Sequence, residues 1–260
     1  MLSLDQIKRT QHFGRRPVLS KRESPVPLSH VYPAVHEHED GDPALGLRWA
    51  RQVRRKLRRA LKRPFPQDWR QHLAKATPWW SALSDEERTR MEDLIRIFLA
   101  DKNFEGTRDF EPTSDMRLMI AAQACLLILG LDYAYYDDVG SIIISPTIIR
   151  QRGSRQLDGG IVSDDPIALA GQAVLHGPVL IVWDTVANES RDPRRGHNVV
   201  FHEFAHKLDM RDGTVDGIPP MSAELAGRWA SVIRSVLARL RSGDHDGLRS
   251  YGATNPAELL

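Results

Sequence analysis

The chain has 260 residues, enough for one substantial domain with an appendage or for two small ones. Its 41% hydrophobic and 27% charged content is that of an ordinary globular protein. The net charge of +2 hides an asymmetry: residues 1–63 carry 15 Lys+Arg against 6 Asp+Glu, the remainder 21 against 28. The longest apolar run, "LMIAAQACLLILGL" from Leu118 to Leu131, is too short to span a bilayer, and residues 1–16 lack the apolar core of a secretory signal. A single cysteine, Cys125, excludes an internal disulfide, so a reducing compartment, the cytoplasm, is expected.

Residues 1–46 are rich in Pro, His and charge, without regularly spaced apolar residues, and read as a disordered extension. "HEHED" at 36–40 reads as a flexible acidic-histidine loop, since nothing fixes its geometry for a metal. From 47 to 63 the pattern is a basic amphipathic helix with Leu47, Ala50, Val53, Leu57, Ala60 and Leu61 on one face and almost only Arg and Lys elsewhere. Such a helix suits peripheral contact with an anionic membrane through 47–62, or an acidic partner; its leucines can equally pack on the body that follows. No recognition motif accompanies the charge, so specific nucleic-acid binding is not expected.

Two prolines in "RPFPQDW" end that helix. Helices follow at 68–75 and 84–102. Ser84 and Glu87 form a capping-box pair in the second, and Met91, Leu94, Ile95 and Phe98 make its apolar stripe. Ser114 or Asp115 is placed to cap a third helix reaching about Leu129, apolar nearly all round and so expected in the core with Cys125. The period then changes. "SIIISP" (141–146) and "GPVLIVWD" (177–184) read as strands, "QLDGGIVSDDP" as a loop between them, and "GQAVLH" (171–176) as a further strand. Helical segments return near 197–209 and 221–242. Helices, a small group of strands, then helices again describe an α+β domain.

The chemistry lies in "VVFHEFAHKLDM" (199–210). His202 and His206, four apart on a helix, present two imidazoles on one face to one ion, and zinc accepts nitrogen ligands in that arrangement. Glu203 need not ligate; it can take a proton from a water that the metal acidifies. Asn198 is a suitable N-cap, and Val199, Val200, Phe201, Phe204 and Ala205 can seat the helix in an apolar setting. A catalytic zinc usually keeps three protein ligands. Glu224, near the start of a helix, and Glu258, in a first turn capped by Asn255 and opened by Pro256, compete evenly for the third place. Asp209 is placed to orient an imidazole through its other nitrogen.

"HEFAHKLDMRDGTVDGIPP" followed by "YGATNPAE" resembles the Mlc titration factor A family of zinc metallopeptidases, as do "RPFPQDW", "FLADKNFEG", "MRLMIAAQACLLILGL" and "GPVLIVWD" upstream. The resemblance covers about residues 48–260. It implies a zincin-like metallopeptidase domain over 47–260, with a small sheet above an active-site helix. It further implies one zinc ion held by His202, His206 and Glu258, Glu203 as general base, and Tyr251 as donor to the oxyanion. "VLIVWD" becomes a candidate strand for pairing an extended peptide. Peptide or protein substrates, aminopeptidase-like cleavage and binding of a transcriptional regulator are the implied activities. Family members continue past "NPAE", whereas this chain stops at Leu260. A fragment or truncated product is therefore expected, with Glu258 held by a marginal five-residue helix and with weaker zinc binding and lower activity than in a longer relative.

Overall fold

A computed structural model describes residues 55–151, 155–156, 162–163, 167–191, 197–244, 248 and 250–260. The expectations of a disordered extension over 1–46, of "HEHED" as a loop and of helix over 47–54 lie outside these residues. The described part of the basic helix, 55–62, buries Leu57 completely and packs Leu61 on the core, while Arg55, Lys56, Arg58, Arg59 and Lys62 face solvent. Over these described residues the apolar face belongs to the protein body and the basic face is left to solvent.

Pro66 then opens α1 (Gln67–Ala76), which buries Leu73. The capping box of Ser84 and Glu87 starts α2 (Asp85–Asp101), which buries Met91, Leu94, Ile95 and Phe98 as the stripe predicted. A parallel strand unread in the sequence, β1 (Asn103–Gly106), follows directly. α3 (Ser114–Leu127) is capped by Thr113, one residue before the expected caps. Thr113 has an extended backbone, and its hydroxyl accepts from Met116 N–H, so Ser114 is already the first helical residue. α3 is buried from Leu118 to Leu126, with Gln123 as its polar exception.

The sheet has the order β1–β2–β8–β7, with β2 at Ser141–Ser145, β7 at Gly171–Ala173 and β8 at Val179–Val182. β1, β2 and β8 are parallel; β7 is antiparallel to β8 and forms one edge. Ile142, Ile144, Val179 and Ile181 are fully buried. β8 has neighbours on both sides, so "VLIVWD" cannot pair a substrate peptide; among the described residues the edges of this sheet are β1 and β7. Trp183 and Asp184, read as the end of that strand, instead begin α4 (Trp183–Arg191). The stretch read as a loop, 156–166, contains one short strand, β5 (Val162–Ser163), paired antiparallel with β4 (Arg155–Gln156), and is flanked by a second antiparallel pair, β3 (Ile149–Gln151) with β6 (Ile167–Leu169).

α5 (Val199–Asp209) lies against α3 on one side and β7 and β8 on the other. Phe204 fixes it there: its ring is 5.1 Å from Tyr136 and 5.7 Å from Phe98, all three in the core. Burial of that one side chain is worth about 2–3 kcal/mol. α6 (Ala223–Arg241) and α7 (Pro256–Leu259) complete the fold. The expected α+β class is the one the chain adopts, and no helix of the described residues is long and apolar enough to cross a membrane.

Candidate metal centre

Polar groups of the core orient α5. Asn198 caps it, accepting from Phe201 N–H at 2.9 Å, and its own amide donates to Gln123 Oε1 of α3 at 2.6 Å. Val199 N–H is taken by Glu189 of α4 at 2.7 Å. The one polar side chain buried in α3 therefore sets the start of the histidine helix. With Val199, Val200 and Phe204 buried, the register of α5 is settled, and His202, Glu203 and His206 fall toward β7 and α7.

His202 Nε2 and His206 Nε2 stand 3.2 Å apart, and Glu258 Oε2 is 3.3 Å from the first and 3.7 Å from the second. Ligands at the zinc distance of ~2.0–2.1 Å in a tetrahedral shell are separated by about 3.3 Å. Glu258 Oε2 is buried, and no hydrogen bond of good geometry satisfies it. Two imidazole nitrogens and a buried carboxylate oxygen converging at these spacings fit a metal ion. Among the described residues this is the group of three metal-binding side chains that the fold assembles. Glu258, and not Glu224, is thus the carboxylate brought to the histidines. Glu224 is exposed in the first turn of α6, where its charge favours the helix dipole.

The electrostatics follow from this convergence. The imidazoles, His202 foremost, hold the Glu258 carboxyl well below the usual carboxylate range. The same contact raises the His202 imidazole against the opposing effect of burial. Burial raises the Glu203 carboxyl, while the two histidines and a hydrogen bond from Ala173 N–H pull it back. Glu203 is 5% exposed and faces the edge strand rather than the ligand trio. Tyr251 stands at the rim, half exposed, its ring 6.2 Å from that of His202.

Asp209 does not orient an imidazole. Fully buried, it turns Oδ2 to Gly217 N–H at 2.9 Å, and the neighbouring Ile218 N–H is taken by Asp216. Gly217 is held from the other side by Trp229 Nε1, which donates to its carbonyl at 2.7 Å. Gly217 has φ +78°, and a β-carbon there would lie 2.5 Å from Pro256 O, so both its conformation and its packing require glycine. The pinned loop is the seat of α7. There Asn255 accepts from Glu258 N–H at 3.0 Å, Ala257 is buried, and Arg241 donates to the carbonyls of Ala253 and Thr254. A four-residue helix is marginal alone; α7 is held by these contacts rather than by its own length.

Lys207 is a further residue that the sequence pattern did not single out. It is completely buried beside His206, yet its ammonium reaches Val174 O at 3.0 Å, Gly177 O at 3.4 Å and Asp138 Oδ2 at 3.0 Å. It ties the β7–β8 turn to α5.

The profile of a family described as glucose-regulated metallo-peptidase M90 matches residues 48–260 of this chain. An uncharacterised protein of Synechocystis sp. is 36% identical over 205 residues, covering 76% of this chain and 74% of that relative. A protein named Mlc titration factor A from Edwardsiella ictaluri is 31% identical over 192 residues, covering 71% and 73%. Its namesake in Escherichia fergusonii is 30% identical over 194 residues, covering 72% of each.

Proposed function

The chain belongs to the glucose-regulated metallo-peptidase M90 family, and from that membership we propose that it is a cytoplasmic zinc-dependent peptidase with a zincin-like fold. The observation that carries this reading is the convergence of His202, His206 and Glu258 beside a buried, non-ligating Glu203. Two imidazoles and one carboxylate are a zinc donor set that leaves a position open for chemistry. Zinc bound there supplies Lewis acidity, which acidifies water toward pKa ~7 and polarises a carbonyl.

The protein's own residues do the rest. Glu203, its carboxyl raised by burial, accepts the proton of the attacking water and returns it to the leaving amine. Tyr251 donates its hydroxyl to the oxygen on which negative charge develops. The edge strand β7 supplies a template for substrate. The residues that flank it, Ala170 and Val174, bond to Val182 and Pro178 of the neighbouring strand and turn, so the backbones of Gly171 and Ala173 face away from β8; the Ala173 N–H is taken by Glu203, which leaves the Gly171 backbone groups and the Ala173 carbonyl for substrate. An extended peptide laid along that edge passes the ligand trio. Aminopeptidase-type cleavage is the expected mode, and amino-terminal and internal reporter peptides distinguish it from endoproteolysis.

The test is Glu203→Gln. That variant keeps one zinc per chain and loses hydrolysis by at least ~100-fold; hydrolysis retained at the original rate overturns the reading. A second function draws on the relatives named Mlc titration factor A: binding of a transcriptional regulator. Pull-down of a candidate regulator with and without chelator, beside the peptidase assay, separates binding that needs the metal from binding that does not.

A further inference from the structure

We propose that Gly171 is a positioning residue for Glu203: it is glycine because the carboxylate arm of the base occupies the space of its missing side chain. The inference rests on the reading of Glu203 as the general base. A β-carbon at Gly171 would stand 2.5 Å from Glu203 Oε1, 2.7 Å from Cγ and 2.8 Å from Cδ. All three separations are shorter than carbon atoms tolerate. Because Cγ is among them, rotating the carboxylate alone does not relieve the overlap; the whole arm has to move.

Glycine inside a strand weakens it, and it is kept there either for a left-handed backbone or for close approach of another group. Gly213, Gly217 and Gly243 have positive φ; Gly171 does not. Its backbone conformation is open to any residue, which leaves space as the reason. The register supports this. Gly171 and Ala173 are two apart on β7 and project to the same face, and Ala173 N–H donates to Glu203. One strand thus holds the carboxylate at Ala173 and makes room for it at Gly171. Gln172, between them, is exposed on the other face. With Glu203 buried between β7 and α5, an arm driven off Gly171 also leaves the Ala173 N–H. Misplacement of a reacting group by ~1 Å costs on the order of 100-fold in rate.

The experiment is a double-substitution cycle on the metal-free full chain, read by thermal unfolding, with kinetics of the zinc-loaded chain beside it. Gly171→Ala lowers Tm when Glu203 is present and does not lower it in the Glu203→Ala background, where the colliding atoms are gone. Gly227→Ala, in α6 where a β-carbon meets nothing within 4 Å, serves as the reference and does not lower Tm. In the zinc-loaded chain, Gly171→Ala lowers kcat about 100-fold, leaves KM within a few-fold and leaves zinc content unchanged. An equal Tm loss in both backgrounds, or an unchanged kcat, overturns the proposal. If the native chain hydrolyses no peptide, the peptidase reading fails by itself, and the Tm cycle still decides whether Gly171 makes room for Glu203.

Discussion

At the scale of single residues, the carboxylates around the centre differ in what they do because they differ in what they face. Glu258 faces two imidazoles, Glu203 faces the edge strand, and Asp209, one turn beyond His206, faces the Gly217 N–H of a loop. Asp209 therefore acts on the ligands at a distance, through Gly217 and the seat of α7. Asp209→Ala orphans a buried N–H and loosens that seat, and zinc affinity is expected to fall about 10–100-fold although no ligand is changed. Competition with a chromogenic chelator measures this; undiminished affinity refutes the linkage. The metal-free pair of Glu258 and His202 also carries a pH signature. Glu258 lies below its ordinary 4.5, so its contribution to stability is present above that pH and is lost as pH falls through the lower folded value. His202 lies above its ordinary 6.5, so its contribution is present below that pH and is lost as pH rises through the higher folded value. Both are complete between pH 4.5 and 6.5. Urea unfolding of metal-free native chain and Glu258→Gln is therefore expected to differ most in that window, and a difference that keeps growing toward pH 9 contradicts the pairing.

At the scale of elements, the edge strand that the proposed substrate uses is only three residues long, Gly171–Ala173, and short strands depend on what braces them. The brace is Lys207, whose ammonium bonds the two carbonyls of the turn and the carboxylate of Asp138. Lys207→Met keeps the volume and removes the charge, which leaves Asp138 and the turn carbonyls without their buried donor. A loss of about 3 kcal/mol in urea unfolding is expected, with a larger loss of kcat/KM for long peptides than for dipeptides, since long peptides need the edge. Equal losses for both substrates would mean that the edge is not the template. Among the helices legible in the sequence, α2 and α5 share a cause: each carries a side-chain cap with apolar residues at helical spacing, and both signals are local, while α7 was read from the Asn255 cap and Pro256. β1 and α4 escaped because Asn103–Gly106 and Trp183–Arg191 become what they are through neighbours. β1 is a strand because β2 lies beside it, and α4 is a helix although it continues an apolar strand run. The capping of α3 by Thr113, where Ser114 and Asp115 were equally able caps by type, is a one-residue matter that residue type alone does not decide.

At the scale of the whole molecule, the centre is assembled from pieces far apart in the chain: β7 at 171–173, α5 at 199–209 and α7 at 256–259. His202, Glu203 and His206 were legible because four-residue spacing on one helix is itself the geometry. The carboxylate was legible only through the family resemblance of "NPAE"; spacing alone left Glu224 and Glu258 even, because the choice depends on how α6 turns back and on the loop that Asp209 and Trp229 pin. Gly171 and Lys207 were invisible for the same reason, since their partners lie tens of residues away. This assembly makes the metal a link between the body and the C-terminal helix. An ion held by both α5 and α7 binds only when α7 is docked, so its binding energy is stability of the folded chain. At free zinc a thousandfold above the dissociation constant, the gain is about 4 kcal/mol, and for a domain of this size a gain of 1 kcal/mol raises Tm by about 2–4 °C. Zinc-loaded chain is thus expected to melt about 10 °C above chelated chain. In Glu258→Gln, which retains the histidines but unlinks α7, most of that difference disappears. Proteolysis supplies a second readout of the same link: chelation should speed cleavage near Tyr251, and zinc should slow it in the native chain but not in the variant. A zinc-dependent rise in Tm of equal size in both chains would show that the ion is held by α5 without α7.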